Sequence, residues 1–174
     1  MDPFPFIPLE RRPQVLAAAA LASVALMLTL YWIGPTNLAK ALEAACSQDD
    51  LNKITSGFGE HGRSLSLLNF AIDFLFIPTY VTGLGLACLA FLNHDPSGYF
   101  RSLGVFAASS AYVTGFADVI ENSSLVLTLL WRFDDHIMSL ARIATAIKLI
   151  GLATAGLFIL AAVFRIALNL QPHR

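Results

Sequence analysis

The chain has 174 residues, of which 56% are hydrophobic and only 13% charged. A water-soluble domain of this size carries about a quarter charged residues, so this chain cannot cover its own outside in water, and its composition points to a membrane protein. The formal net charge of −1 excludes a strong basic field for nucleic acid or for anionic lipid. Two cysteines make no disulfide framework: Cys46 lies in a polar stretch and Cys88 in an apolar run, and neither reports a redox compartment.

Residues 15–33, VLAAAALASVALMLTLYWI, form an uncharged apolar run. At 1.5 Å per residue such a run crosses the ~30 Å hydrocarbon layer as a helix. Tyr31 and Trp32 close it with rings that favour the headgroup level, and Gly34-Pro35 stops it. A second run, 65–92, contains Asp73; a third, 103–131, contains Asp118 and Glu121; a fourth, 138–170, contains Arg142, Lys148 and Arg165. None shows the strict alternation of a membrane β-strand. The predicted fold is an all-α integral membrane four-helix bundle, a single transmembrane domain over 1–174. Arg11-Arg12 before the first run resembles an export signal, but the run is longer than a signal core and no small-x-small cleavage site follows it. Glu43-Ala44-Ala45-Cys46 carries a Glu where a lipidation site needs Leu.

The connections differ in kind. The longest covers 35–64, where Thr36 or Asn37 is placed to cap a short helix through Ala45. Leu38, Ala41, Leu42 and Ala45 recur there at helical spacing opposite Lys40 and Glu43, which predicts an interfacial helix after the first span. Residues 93–98 and 132–136 are short turns, which set sequential helices side by side and antiparallel. The Lys/Arg distribution is nearly even: Arg11, Arg12, Arg101, Arg165 and Arg174 on the side of the termini against Lys40, Lys53, Arg63 and Arg132. Arg11-Arg12 beside the first span, with the acidic balance of the long loop, favours cytoplasmic termini in a multi-pass protein.

The informative residues are the charges inside the spans. Asp73, Asp118, Glu121 and Lys148, on three different runs, all fall roughly 12 to 20 Å from one membrane face at 1.5 Å per residue. A lone charge at such a depth costs about 2.5 to 3.5 kcal/mol on insertion scales, so pairing is expected. The faces agree. Asp118, Glu121, Asn122 and Leu125 share one side of the third helix, Asn69, Asp73, Phe76 and Tyr80 one side of the second, and Thr145, Lys148 and Leu152 one side of the fourth. The expected buried polar cluster, a candidate ion, proton or ligand site or else a lock between helices, is Asn69, Asp73, Tyr80, Asp118, Glu121, Asn122 and Lys148. Three carboxyl groups face one lysine, and like charges at low dielectric do not all ionise, so at least one carboxyl is expected to hold a proton. Arg142 joins only by reaching inward. Small residues at Ala107, Ala111 and Gly115, and at Gly151 and Ala155, mark faces of close helix packing, and Pro78 interrupts the second helix near the cluster.

Other chemistry has little support. His61, His94, His136 and His173 fall in loops or the tail, and no Glu-x-x-His pair occurs, so no metal or haem site and no cofactor is expected. Asp134-Asp135-His136 reads as a solvated turn rather than a cation site. Asp118-x-x-Glu121 resembles the paired acids of lipid-processing enzymes, but only Lys148, Arg142 and Arg63 are available as a phosphate clamp. The 13 phenylalanines are spread over all spans, as packing and lipid contact require, rather than gathered in a pigment site.

Gly62-Arg63, Asp73 followed by Pro78 and Tyr80, Asp118-Val119-Ile120-Glu121-Asn122 and Lys148 together resemble a group of small bacterial four-span membrane proteins without an assigned function. Those carry an Asp-x-x-Glu-Asn motif in the third span and a Lys in the fourth; here the Pro stands one place later than in the group. The resemblance covers 62–152 and implies that the polar cluster is the shared centre and that the membrane is the bacterial inner membrane. It implies no activity. The function expected first is an accessory or structural subunit, packed against a protein partner or a second copy of itself in the lipid bilayer. The alternative is binding or transport of a proton, cation or small amphiphile at the cluster, and the third is a lipid-modifying enzyme.

Overall fold

The computed structural model describes residues 4–33, 41–42, 44–45, 47–57, 61–91, 98–131 and 133–168. Among them the chain is all-helical. A 3₁₀ turn at Leu9–Arg11 leads into α1, Arg12–Ile33; the short α2, Gln48–Ser56, follows; then come α3, Gly62–Ala90, α4, Gly98–Leu130, and α5, Asp135–Ala167. Four segments, Leu9–Trp32, Gly62–Ala90, Gly98–Leu130 and Asp135–Ala167, are long and apolar enough to cross a membrane. The protein is thus a helical bundle with four candidate membrane spans.

The last three helices each begin a few residues before their apolar runs. Once nucleated, a helix needs no apolar side chain to continue, so hydropathy marks the lipid-facing stretch and not the helix end. At α5 the start is set by a cap: Asp134 Oδ1 accepts from the backbone N–H of His136 at 2.8 Å and of Ile137 at 3.2 Å. Asp134 is therefore a capping residue of the turn expected at 132–136. Ser47 caps α2 in the same way, accepting from Asp50 N–H at 3.1 Å, with Asp49 and Asp50 in the first turn facing the positive end of the helix dipole.

The short helix expected through Ala45 is described only in part. Ala41, Leu42 and Ala44 are helical, and 36–40 and 43 lie outside the described residues. Leu42 and Ala45 are buried, and Leu42 packs with Leu51 of α2, Phe70 of α3, Leu125 of α4 and Met138 of α5. The segment seals one end of the bundle. Phe133 N–H donates to Gln48 Oε1 at 2.7 Å, Arg63 donates to the Leu129 carbonyl, and Arg142 Nη2 donates to the Ala45 carbonyl at 3.1 Å. The first ties α2 to the turn between α4 and α5, the second the start of α3 to the end of α4, and the third the approach to α2 to α5.

Packing is uneven around the bundle. The α4–α5 interface is the most extensive, followed by α3–α4 and α1–α3, while α3 and α5 touch lightly. Small residues account for the tight pair: Ala107, Ala108 and Ala111 of α4 and Ala141, Ala144 and Ala155 of α5 are all buried. At Gly151 the backbones come so close that a β-carbon would collide with Thr114 Oγ1, and Ser110 Oγ lies 3.3 Å from the Gly151 carbonyl oxygen. Gly115 serves the opposite face of α4, where Val81 of α3 occupies the space a side chain would take. Helix α1 is the outermost; it leans on α3 through Ala19 against Gly83 and through Ser23, which donates to Thr79 Oγ1 at 3.0 Å. Helix α3 runs unbroken across Pro78, which faces outward.

The apolar core is layered. One cluster, with Phe4, Leu86, Phe100 and Phe158, fills the end nearest the start of α1, and a second, with Leu51, Phe70, Leu125 and Met138, fills the α2 end. Ile77, Val81 and Ala111 form a small cluster between them. Between that cluster and the α2 end lies a polar layer.

Candidate functional site

Helix geometry alone puts Asp118, Glu121 and Asn122 on one side of α4, and all three are buried. Across from them α3 presents Asp73 and Tyr80, two turns apart, and α5 presents Lys148. Lys148 Nζ donates to Asp118 Oδ1 at 3.0 Å and lies 2.6 Å from Glu121 Oε2. Tyr80 donates its hydroxyl proton to the other Asp118 oxygen, Oδ2, at 2.7 Å. Asn122 Nδ2 donates to Asp73 Oδ2 at 2.8 Å. Six of the seven residues expected in the cluster thus form one layer joining α3, α4 and α5. Asn69, one turn before Asp73, is half-buried, and among the described residues its side chain makes no hydrogen bond to the layer.

The partners are distributed unequally. Both Asp118 oxygens are engaged, and the single ammonium group serves Asp118 and Glu121 together. Asp73 accepts a neutral amide on one oxygen and, among the described residues, forms no ion pair. Exposure follows the same order: the Glu121 side chain is 2% exposed, Asp118 6%, and Lys148 19%. Glu121 therefore sits at the back of the layer, while Lys148 and Asp73 stand at its front.

What lies in front is a groove of about 590 Å³ between α1 and α5, running over α3. Leu16 and Ala20 of α1, Phe76 and Leu84 of α3 and Leu152 of α5 give it apolar walls; Asp73, Tyr80, Asp118 and Lys148 give it a polar floor. The groove exists because α1 packs chiefly on α3. Its volume falls within the roughly 300–1,000 Å³ of small-molecule sites, and apolar walls around a few converging polar groups are the usual make-up of such sites. The contribution of α1 is not visible in the sequence, since its run carries no charge; Ser23, paired with Thr79, is the one polar residue that marks the face of α1 turned to α3.

The remaining chemistry-bearing residues lie elsewhere. Among the described residues no group of three or more His, Cys, Asp or Glu could hold a metal ion. His61 and His136 sit at helix starts, and His94, His173 and Cys46 lie outside the described residues. Cys88 is buried in the apolar end cluster. Arg63 and Arg142 donate to backbone carbonyls at the α2 end, so of the three residues available as a phosphate clamp only Lys148 comes together with Asp118 and Glu121. Arg165 lies over the Phe100 ring, 5.0 Å from its centroid.

No protein-family model, no curated protein and no solved structure matches the chain.

Proposed function

We propose that this chain is a membrane-embedded binding protein for a small amphiphile, held in the groove between α1 and α5 with its polar end against Asp73, Tyr80, Asp118 and Lys148. The observation that carries the reading is the groove itself: a polar layer whose only task is to lock three helices has no need to open onto a space of about 590 Å³. Each charge at this depth costs about 2.5 to 3.5 kcal/mol on insertion scales. Sealing the layer behind a fourth helix is the simplest way to hold it as a lock, yet α1 makes no extensive contact with α5. The resemblance over 62–152 fits this reading, because the residues that carry it supply the floor of the groove. With an even number of spans both termini lie on one side, and we assign that side to the cytoplasm of a bacterial inner membrane.

The test is native mass spectrometry of the protein taken gently from its own membranes, beside a variant with the groove filled, Ala20→Trp. A small amphiphile bound at one per chain in the wild type and absent from the variant is the expected result. A wild-type protein carrying none, with a protein partner in fixed proportion instead, overturns it. That outcome returns the chain to the accessory-subunit reading, which the exposed apolar length of α1 favours as a surface for a partner.

A further inference from the structure

We infer that the polar end of the groove ligand is an ammonium group, and that Asp73 is the residue that receives it; this rests on the proposed binding function. The floor is short of positive charge. Asp73, Asp118 and Glu121 face a single Lys148, and that lysine is committed to Asp118 and Glu121 at 3.0 and 2.6 Å. Asp73 lines the groove, and its one hydrogen bond among the described residues comes from the Asn122 amide to Oδ2. Its second oxygen, Oδ1, is the acceptor left over. A carboxylate hydrogen-bonded by a neutral amide on one side and open to an apolar-walled groove on the other is matched by a donor carrying positive charge.

The alternatives fit less well. An anionic head meets three carboxyl groups and a lysine already occupied. A two-tailed phospholipid keeps its head at the water interface, whereas this floor lies roughly 15 to 20 Å from even the nearer end of each helix that carries it, at 1.5 Å per residue. The occupant is therefore a single-chain amine, its tail along Leu16, Ala20, Leu84 and Leu152. Tyr80 lines the same groove with its hydroxyl proton already directed to Asp118, which leaves its oxygen as an acceptor.

The experiment uses the full chain in phosphatidylcholine nanodiscs, titrated separately with dodecylamine hydrochloride, dodecanol and sodium dodecyl sulfate. Bound probe is counted by native mass spectrometry against empty nanodiscs. The amine is expected to saturate at one per chain and to bind about tenfold tighter than the alcohol, the scale of one charge-assisted hydrogen bond. Asp73→Asn, which keeps the shape of the side chain, is expected to bring amine and alcohol to within about twofold. Equal binding of amine and alcohol by the wild type, or tighter binding of the sulfate, overturns the ammonium assignment and leaves the groove as a binding site. Saturation by none of the three overturns the groove as well. The head-group comparison on the wild type decides the matter even where Asp73→Asn does not fold.

Discussion

Lys148 of α5 bridges two carboxylates one turn apart on α4, donating to Asp118 Oδ1 at 3.0 Å and standing 2.6 Å from Glu121 Oε2. One side chain thus offsets half of the charge on a helix face that would otherwise present two carboxylates to the interior without a counter-charge. Removing a single member of such a set leaves uncompensated charge, which costs more than the pair itself contributes.

Lys148→Leu is accordingly expected to destabilise the bundle by about 3 to 5 kcal/mol. Adding Asp118→Asn and Glu121→Gln to it should recover most of that loss. Unfolding in mixed micelles, followed by far-UV circular dichroism over the set of variants, measures both. A triple variant as unstable as Lys148→Leu alone would mean that the ammonium group stabilises by some route other than neutralisation.

The two neutral donors of the layer predict smaller effects. Tyr80→Phe removes the bond to Asp118 Oδ2, and Asn122→Leu the bond to Asp73 Oδ2. Side-chain hydrogen bonds between membrane helices average about 0.6 kcal/mol and reach about 1.7. A double-mutant cycle for Tyr80 with Asp118 should return coupling in that range, and a cycle for Tyr80 with Asn122, which share no bond, should return close to none.

Gly151 and Gly156 lie on one helix and make a paired test. A β-carbon at Gly151 meets Thr114 Oγ1 and the Ser110 carbonyl, whereas one at Gly156 meets nothing within 4 Å. Gly151→Val is expected to lose about 1 to 3 kcal/mol through overpacking, and Gly156→Ala to stay within about 0.5 kcal/mol of the wild type. Thr114→Ala should relieve part of the penalty of Gly151→Ala. Thermal melting of the four variants in one detergent decides it, and equal loss at both glycines would contradict the close approach of α4 and α5.

The N-terminal segment anchors the other end of the bundle. Phe4 is buried over Gly85, its ring centroid 4.9 Å from that of Tyr112, and its carbonyl accepts from Arg12 Nη2 at 3.0 Å. Phe4→Ala is expected to cost about 3 to 5 kcal/mol, and it should expose Cys88, which packs in the same cluster. The rate of Cys88 alkylation in a Cys46→Ser background reports this directly. An unchanged rate would mean that the segment does not cover the cluster.

The spans were legible because a hydrocarbon layer demands long uncharged runs, and the polar layer because charges at that depth must meet one another. Spacing on each helix then named the residues: Asp118, Glu121 and Asn122 turn inward together, and Lys148 lies at the matching depth on its own helix. Asn69 fits the same face on paper, but at four residues from Asp73 it stands one turn nearer the α2 end, among the apolar neighbours of Phe70. Two features escaped for a common reason. Helix α2 is only Gln48–Ser56 and is polar, so hydropathy passes over it, although Ser47 with Asp50 three residues on is a capping signal. The groove arises from where α1 does not pack, and an apolar run facing lipid and one facing a groove have the same composition.

Because Lys148 belongs to the last helix, the ribosome delivers the three carboxylates to the membrane before it delivers their counter-charge. Helices α3 and α4 must wait in a polar setting, at the insertion machinery or near the surface, until α5 emerges. The arrival of α5, and not of each earlier span, is then the event that commits α3 and α4 to the bilayer. A chain ending at Leu130 is expected to stay anchored through α1 but to leave α3 and α4 open to proteolysis, where the same helices of the full chain are protected.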